Sequence, residues 1–174
     1  MLVVSLIISG LVSNLKFQAQ LAKTREQRAD ALYTMSKALS AALVTEQIID
    51  IANDQLSAYF KAKTAILLPD SHEKVAHNIA EQAALSPEID LSVGQWVYDN
   101  QQIAGAGSNT LPAAQACYLP LKAPMRTRGV LVIMPQQMQR EFTHDELQLL
   151  TTFCAQIALA LERIHYVEVA RDAL

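Results

Sequence analysis

The first fifteen of the 174 residues carry no charged side chain, and the whole chain holds only two cysteines and one tryptophan. Cys117 and Cys154 have no CxxC spacing and no nearby histidine, which rules out a disulfide framework and gives no sign of a catalytic thiol. Both read as small buried hydrophobes of a protein kept in a reducing compartment. A strong charge of either sign is lacking as well. The net charge is −3 and no basic face recurs, so nucleic acid is not a predicted partner. Glycine and proline are missing from residues 17–43 and again after Thr143, and both stretches are free to form long helices.

Motifs for chemistry are missing too. His72 and His77 are five apart, on opposite sides of a predicted strand, with no third ligand at hand, so no metal site is expected. Gly105-Ala106-Gly107 lacks the third glycine of a dinucleotide fingerprint, since Thr110 stands there, and no Walker Lys-Ser/Thr follows; a flexible loop is predicted. His165 is followed by Tyr166-Val167-Glu168-Val169-Ala170, without the acid and downstream proline of a phosphoacceptor box, and reads as a helix-surface residue. No catalytic set can be assembled, and no cofactor is expected.

What is present begins with that uncharged run. Fifteen residues give about 22 Å of helix, short of the ~30 Å hydrocarbon core of a bilayer. Positive charge follows it, in Lys16, Lys23, Arg25 and Arg28 against Glu26 alone, which fits a cytoplasmic flank rather than a secretory signal. Ser5, Ser9 and Ser13 make a small-residue face suited to packing in a membrane. Residues 1–15 are therefore read as the end of a transmembrane helix, a buried soluble helix being the alternative. Residues 16–43 continue as a juxtamembrane helix. Its seam is Leu21, Arg25, Arg28, Leu32, Met35, Leu39 and Ala42, polar in the middle and apolar toward the end.

Thr45 is placed to cap a second helix running to about Phe60, with Ile48, Ile51, Ala52, Leu56 and Tyr59 on one face. Residues 63–68 read as a strand ended by Pro69-Asp70, residues 74–78 as a short return strand, and residues 79–87 as loop or a weak helix. Residues 93–100, with Trp96, read as a short helix. Residues 116–121 and 129–134 are strands. The second is apolar at every position, as a central strand covered on both faces should be. Pro120 cannot donate to a ladder and predicts a bulge or an edge. The turn between them carries Lys122, Arg126 and Arg128 without an acid: a solvated hairpin turn, or a contact for an anionic ligand or lipid headgroup. The last helix opens with a capping box, Thr143 and Glu146, and a hydrophobic staple, Phe142 and Leu147. Its seam is Leu147, Leu150, Cys154, Ile157, Leu161 and Ile164. The set predicts an α+β fold, an antiparallel sheet with helices on one face.

These residues resemble a known family. Tyr118-Leu119-Pro120-Leu121, Arg128-Gly129-Val130-Leu131-Val132, Phe142-Thr143-His144-Asp145-Glu146-Leu147 and Ala158-Leu159-Ala160-Leu161-Glu162 together are similar to the C-terminal half of a GAF domain. The loop AGAGSNTLP at residues 104–112 and the helix REQRADALYTMSKALS at residues 25–40 narrow the likeness to the KdpD family of osmosensitive potassium-channel sensor histidine kinases. The resemblance implies a GAF core over 44–142 and a last helix, 143–174, continuing toward a kinase core. It implies a parent in the cytoplasmic (inner) membrane with its GAF domain in the cytoplasm. The implied parent is a transferase: it autophosphorylates a histidine, passes the phosphoryl group to a response regulator, and so controls high-affinity potassium uptake. The signatures of GAF domains that bind bilins or cyclic nucleotides, or reduce methionine sulfoxide, are absent.

Two functions follow as expectations. The first is a signal relay, in which helices at the two ends of one domain lie side by side and shift together, with a homodimer formed through seams that include Arg25, Arg28, Leu32, Met35, Leu39, Leu150, Ile157, Leu161 and Ile164. The second is a small-molecule receptor whose pocket lies near Trp96, Gly105, Gly107 and Tyr118.

Overall fold

The computed structural model describes residues 1–77, 89–137 and 141–173. Its elements run α1 (Leu2–Ala41), α2 (Thr45–Phe60), β1 (Ala62–Pro69), β2 (Val75–His77), α3 (Leu91–Asn100), β3 (Ala104–Gly105), β4 (Cys117–Lys122), β5 (Thr127–Pro135) and α4 (His144–Asp172). The expectation for residues 79–87 lies outside the described residues. The chain divides into two compact units, Met1–Thr34 and Met35–Leu174.

The first unit is helical from Leu2, and its residues 2–27 are all exposed. Among the described residues two helices, α1 and α4, are long and apolar enough to cross a membrane. The apolar window of α1 is wholly exposed, whereas more than half of that in α4 is buried in protein.

The second unit is built on a five-stranded sheet in the order β2-β1-β5-β4-β3, antiparallel throughout. β5 takes the centre, as its unbroken apolar run predicts. Successive strand residues point to opposite faces, so Val130 and Val132 look one way and Leu131 and Ile133 the other, and all four are fully buried. Pro120 sits on β4 beyond the reach of β3, which pairs only with Cys117 and Tyr118, so the missing N–H falls on a free edge.

Helices cover both faces, which corrects the expectation of helices on one. Val93, Val97 and Tyr98 of α3 pack on Ala65, Leu67, Tyr118, Val130 and Val132. α2 and α4 close the opposite face, where aromatic rings meet edge to face: Phe60 of α2 lies 6.1 Å from Phe153 of α4 and 6.2 Å from Phe142, just before α4. The buried face of α2 is Ile48, Ile49, Ala52, Leu56 and Phe60. Ile49 and Phe60 therefore stand where Ile51 and Tyr59 were expected, because α2 packs on β1 and on α4 together. Its N-cap is Val44, with no side-chain cap; Thr45 is already helical. The capping box of α4 forms as read. Thr143 Oγ1 accepts from the Glu146 N–H at 3.3 Å, and a Glu146 carboxylate oxygen accepts from the Thr143 N–H at 2.9 Å.

Candidate functional site

Two places in the second unit gather the residues singled out above. The first is where β5, α4 and the end of α1 meet. Between Leu121 and Lys122 the β4–β5 register slips: Leu121 pairs with Gly129 and Lys122 with Thr127, leaving Arg128 as the extra residue of a β-bulge. A bulge re-aims its side chain. Arg128 reaches Glu162 of α4 at 3.2 Å, both side chains being more than nine-tenths buried, and its guanidinium carbon lies 5.7 Å from the centre of the Tyr166 ring. Its Nε makes no hydrogen bond. The tight backbone at this bulge needs glycine next door, since a Cβ on Gly129 would press against the Leu67 carbonyl oxygen of β1.

The basic turn is thus divided among acids supplied from elsewhere in the chain. Arg126 pairs with Glu73 at 2.9 Å and donates to the Tyr98 hydroxyl at 3.3 Å. A cavity of about 410 Å³ beside Arg126 and Arg128 is also lined by Asp70, Glu73 and Glu168, so opposite charges offset one another there. His165 lines the same cavity on the exposed side of α4. His72 lies in the β1–β2 turn rather than on a strand; its N–H, like that of Lys74, is bonded to Asp70, and these two N–H groups hold the Asp70 carboxyl below its ordinary value. No cluster able to hold a metal occurs among the described residues.

Next to Glu162, Arg163 reaches the last turn of α1. It donates to the carbonyl oxygens of Leu39 at 2.9 Å, Ser40 at 3.0 Å and Ala42 at 2.8 Å. Ser36, Leu39 and Ser40 share a cleft of about 470 Å³ with Gln156, Leu159 and Tyr166 of α4. Met35 and Leu39 are buried, Leu32 and Arg28 half-buried, and Arg25 exposed. In α4 the expected seam residues Leu150, Ile157, Leu161 and Ile164 are all buried in the chain's own core, while Leu159, Tyr166, Val167 and Val169 stay exposed. Sequence reasoning missed Arg163 and the bulge. The ion pair was half visible, in the Ala-Leu-Glu of the family pattern, but its partner lies 34 residues away.

The second place is the α3 face of the sheet. Tyr118 is buried, and its hydroxyl accepts the Asp90 N–H at 2.8 Å; burial pushes its ionisation up, with that N–H opposing. Trp96 packs half-buried against the same cluster. Gly105 lies at the edge of the cluster with φ +94°, where a Cβ would collide with the Ala116 carbonyl oxygen. Trp96 and Tyr118 share this cluster and Gly105 lies against Tyr118, while Gly107 lines an adjoining cavity of about 500 Å³ with Ala106, Ser108, Met134 and Glu141 on its walls. The loop expected to be flexible is tied: the Ser108 hydroxyl donates to the Gly105 and Thr110 carbonyls at 2.8 and 2.7 Å. Cys117 and Cys154 are buried and free. Burial pushes the Cys117 thiol up to about 12 and the Cys154 thiol up as well, so neither is a nucleophile near neutral pH.

This arrangement has relatives. Residues 44–163 match the family of GAF domains. The chain belongs to that family. Among curated proteins, this GAF domain is 35% identical to the sensor protein KdpD of Escherichia coli strain K12 over 164 residues, covering 94% of this chain and 18% of that protein. It is 25% identical to the sensor protein KdpD of Clostridium acetobutylicum over 174 residues, covering 94% of this chain and 19% of that one. The chain thus spans about a fifth of the length of those relatives. Among solved structures, the native GAF domain of the potassium sensor histidine kinase KdpD from Escherichia coli superposes with a TM-score of 0.72 at 33% identity, covering 82% of this chain and 98% of that one. The GAF domain of an Acinetobacter phosphoenolpyruvate-protein phosphotransferase, with a TM-score of 0.62 at 20% identity, shares the fold alone.

Proposed function

We propose that this GAF domain is the relay module of a membrane-bound two-component sensor histidine kinase of the KdpD type, regulating high-affinity potassium uptake. In this reading α1 brings a displacement from the membrane, the sheet is the common body, and α4 carries the displacement on toward a kinase core and, through it, a response regulator. The observation that carries it is that one stretch of α4, residues 161–164, is fastened to the sheet by its buried side chains and to the end of α1 by Arg163. Two elements fixed to one rigid layer bias a downstream equilibrium together. The parent acts as a homodimer in the cytoplasmic membrane, with the GAF domain on the cytoplasmic side. Arg25 and Arg28 keep the α1 contact with its dimer mate weak, as a switch requires. Replacing both by leucine in the full-length protein is expected to lock one signalling state, and unchanged kinase and phosphatase activity would count against the relay.

A small-molecule receptor is the second reading. It is favoured by the cavity beside Gly107, whose size is in the range of small-ligand sites. A metabolite that raises the melting temperature of the chain with the logarithm of its concentration, once that exceeds the dissociation constant, would support it.

A further inference from the structure

We infer that Arg163 is the positioning residue that couples the end of α1 to α4, an inference that rests on the relay reading. The last carbonyls of a helix have no partner within it, and the negative end of the helix dipole lies among them. At the end of α1 the Leu39 carbonyl accepts the Ala42 N–H at 3.3 Å, a long bond, and the helix offers little else. Its last turn has no basic residue, and Ala42-Leu43-Val44 follow it where a glycine commonly turns the chain away. α4 supplies the missing cation from outside. Arg163 Nη1 donates to the Ser40 carbonyl, and Nη2 to those of Leu39 and Ala42. A planar guanidinium has the fork of donors that holds three carbonyls in one orientation, whereas the single ammonium of lysine is a point donor.

Its neighbours give Arg163 a fixed base. Glu162 before it is buried and paired with Arg128, and Ile164 after it is buried in the core. The cleft lined by Ser36, Leu39, Ser40, Gln156, Leu159 and Tyr166 lies between this part of α4 and the last turns of α1. Across it, the arginine bridges where side chains do not fill the space. Turning or sliding the end of α1 moves the Leu39 and Ser40 carbonyls and, with them, that of Ala42 just beyond the helix, so Arg163 responds to the position of the helix end as a whole.

The test is a coupling measurement on the whole 174-residue chain in detergent micelles. Met35→Ala loosens the end of α1, and amide hydrogen exchange reads residues 164–172 of α4, with β5 amides as the gauge of global stability. Met35→Ala is expected to speed exchange in α4, relative to β5, by roughly two- to thirtyfold with Arg163 present. That extra effect should vanish with Arg163→Gln and be intermediate with Arg163→Lys; an arginine that only stabilised the fold would leave the two effects additive. If the extra effect persists undiminished in Arg163→Gln, the assignment is overturned while the relay reading stands. If Met35→Ala leaves α4 unchanged with Arg163 present, both fall. Should Arg163→Gln fail to fold by circular dichroism, undiminished coupling in Arg163→Lys overturns the assignment alone.

Discussion

On one face of the sheet Phe60, Phe142, Phe153, Ile157 and Leu161 close a core beneath α2 and α4; on the other, α3 lays Val93, Val97 and Tyr98 over Tyr118 and leaves Trp96 half-exposed. The α4 face has its ion pair buried, in Arg128 and Glu162, whereas the α3 side has its ion pair exposed, in Arg126 and Glu73. Burying a charge requires that its partner be held in place, and here both partners are fixed by backbone geometry, the bulge on one side and the helix on the other. The difference teaches where the fold is held most firmly: the α4 face ties β5, α4 and the last residues of α1 together through a buried ion pair and Arg163, while the α3 side ends in an exposed pair.

The contrast can be broken by mutation. The largest effect is expected from Phe153→Ala, about 4 kcal/mol of stability, against roughly 2 kcal/mol for Val97→Ala beneath α3, read by urea unfolding. Equal losses would erase the distinction between the faces. Next comes Glu162→Ala, which leaves Arg128 buried without its carboxylate and is expected to cost about 3 kcal/mol, with much of that regained when Arg128→Met is added. A loss no greater than that of an exposed pair would mean that the junction is not held by charge.

The smallest effect near neutral pH concerns the thiols. The native Cys117 thiol keeps its proton to about 12, above its ordinary value of 9.0, so its contribution is full below pH 9 and is lost as pH rises toward 12. Cys117→Ala should therefore flatten the alkaline fall in melting temperature. An unchanged slope would place the loss in other groups raised by burial, Cys154 and Tyr118 among them.

How much of this was legible in the sequence depended on distance along the chain. The Thr143–Glu146 capping box, the central position of β5 and the end of α2 at Phe60 rest on spacings of a few residues, and they stand in the structure. β3 is two residues long, too short for any periodicity to mark it. The N-cap of α2 was read one residue late because Thr45 is a good cap by type, while the turn there places Val44 at the boundary. The face taken by α3 was hidden because alternation within a buried strand is apolar on both sides. The candidate site was the least legible part. Arg163 finds its acceptors more than 120 residues away, and Arg128 points toward α4 only because of a register slip that no local pattern records.

The most direct measurement inserts one to seven alanines after Asp30 in α1 of the full-length protein and follows autophosphorylation. Each added residue turns the helix by about 100°, and seven make about two turns. The account predicts output that rises and falls with helical phase, disturbed by two inserted residues and recovered by seven. Output that ignores phase, falling steadily with length or not changing at all, would contradict it.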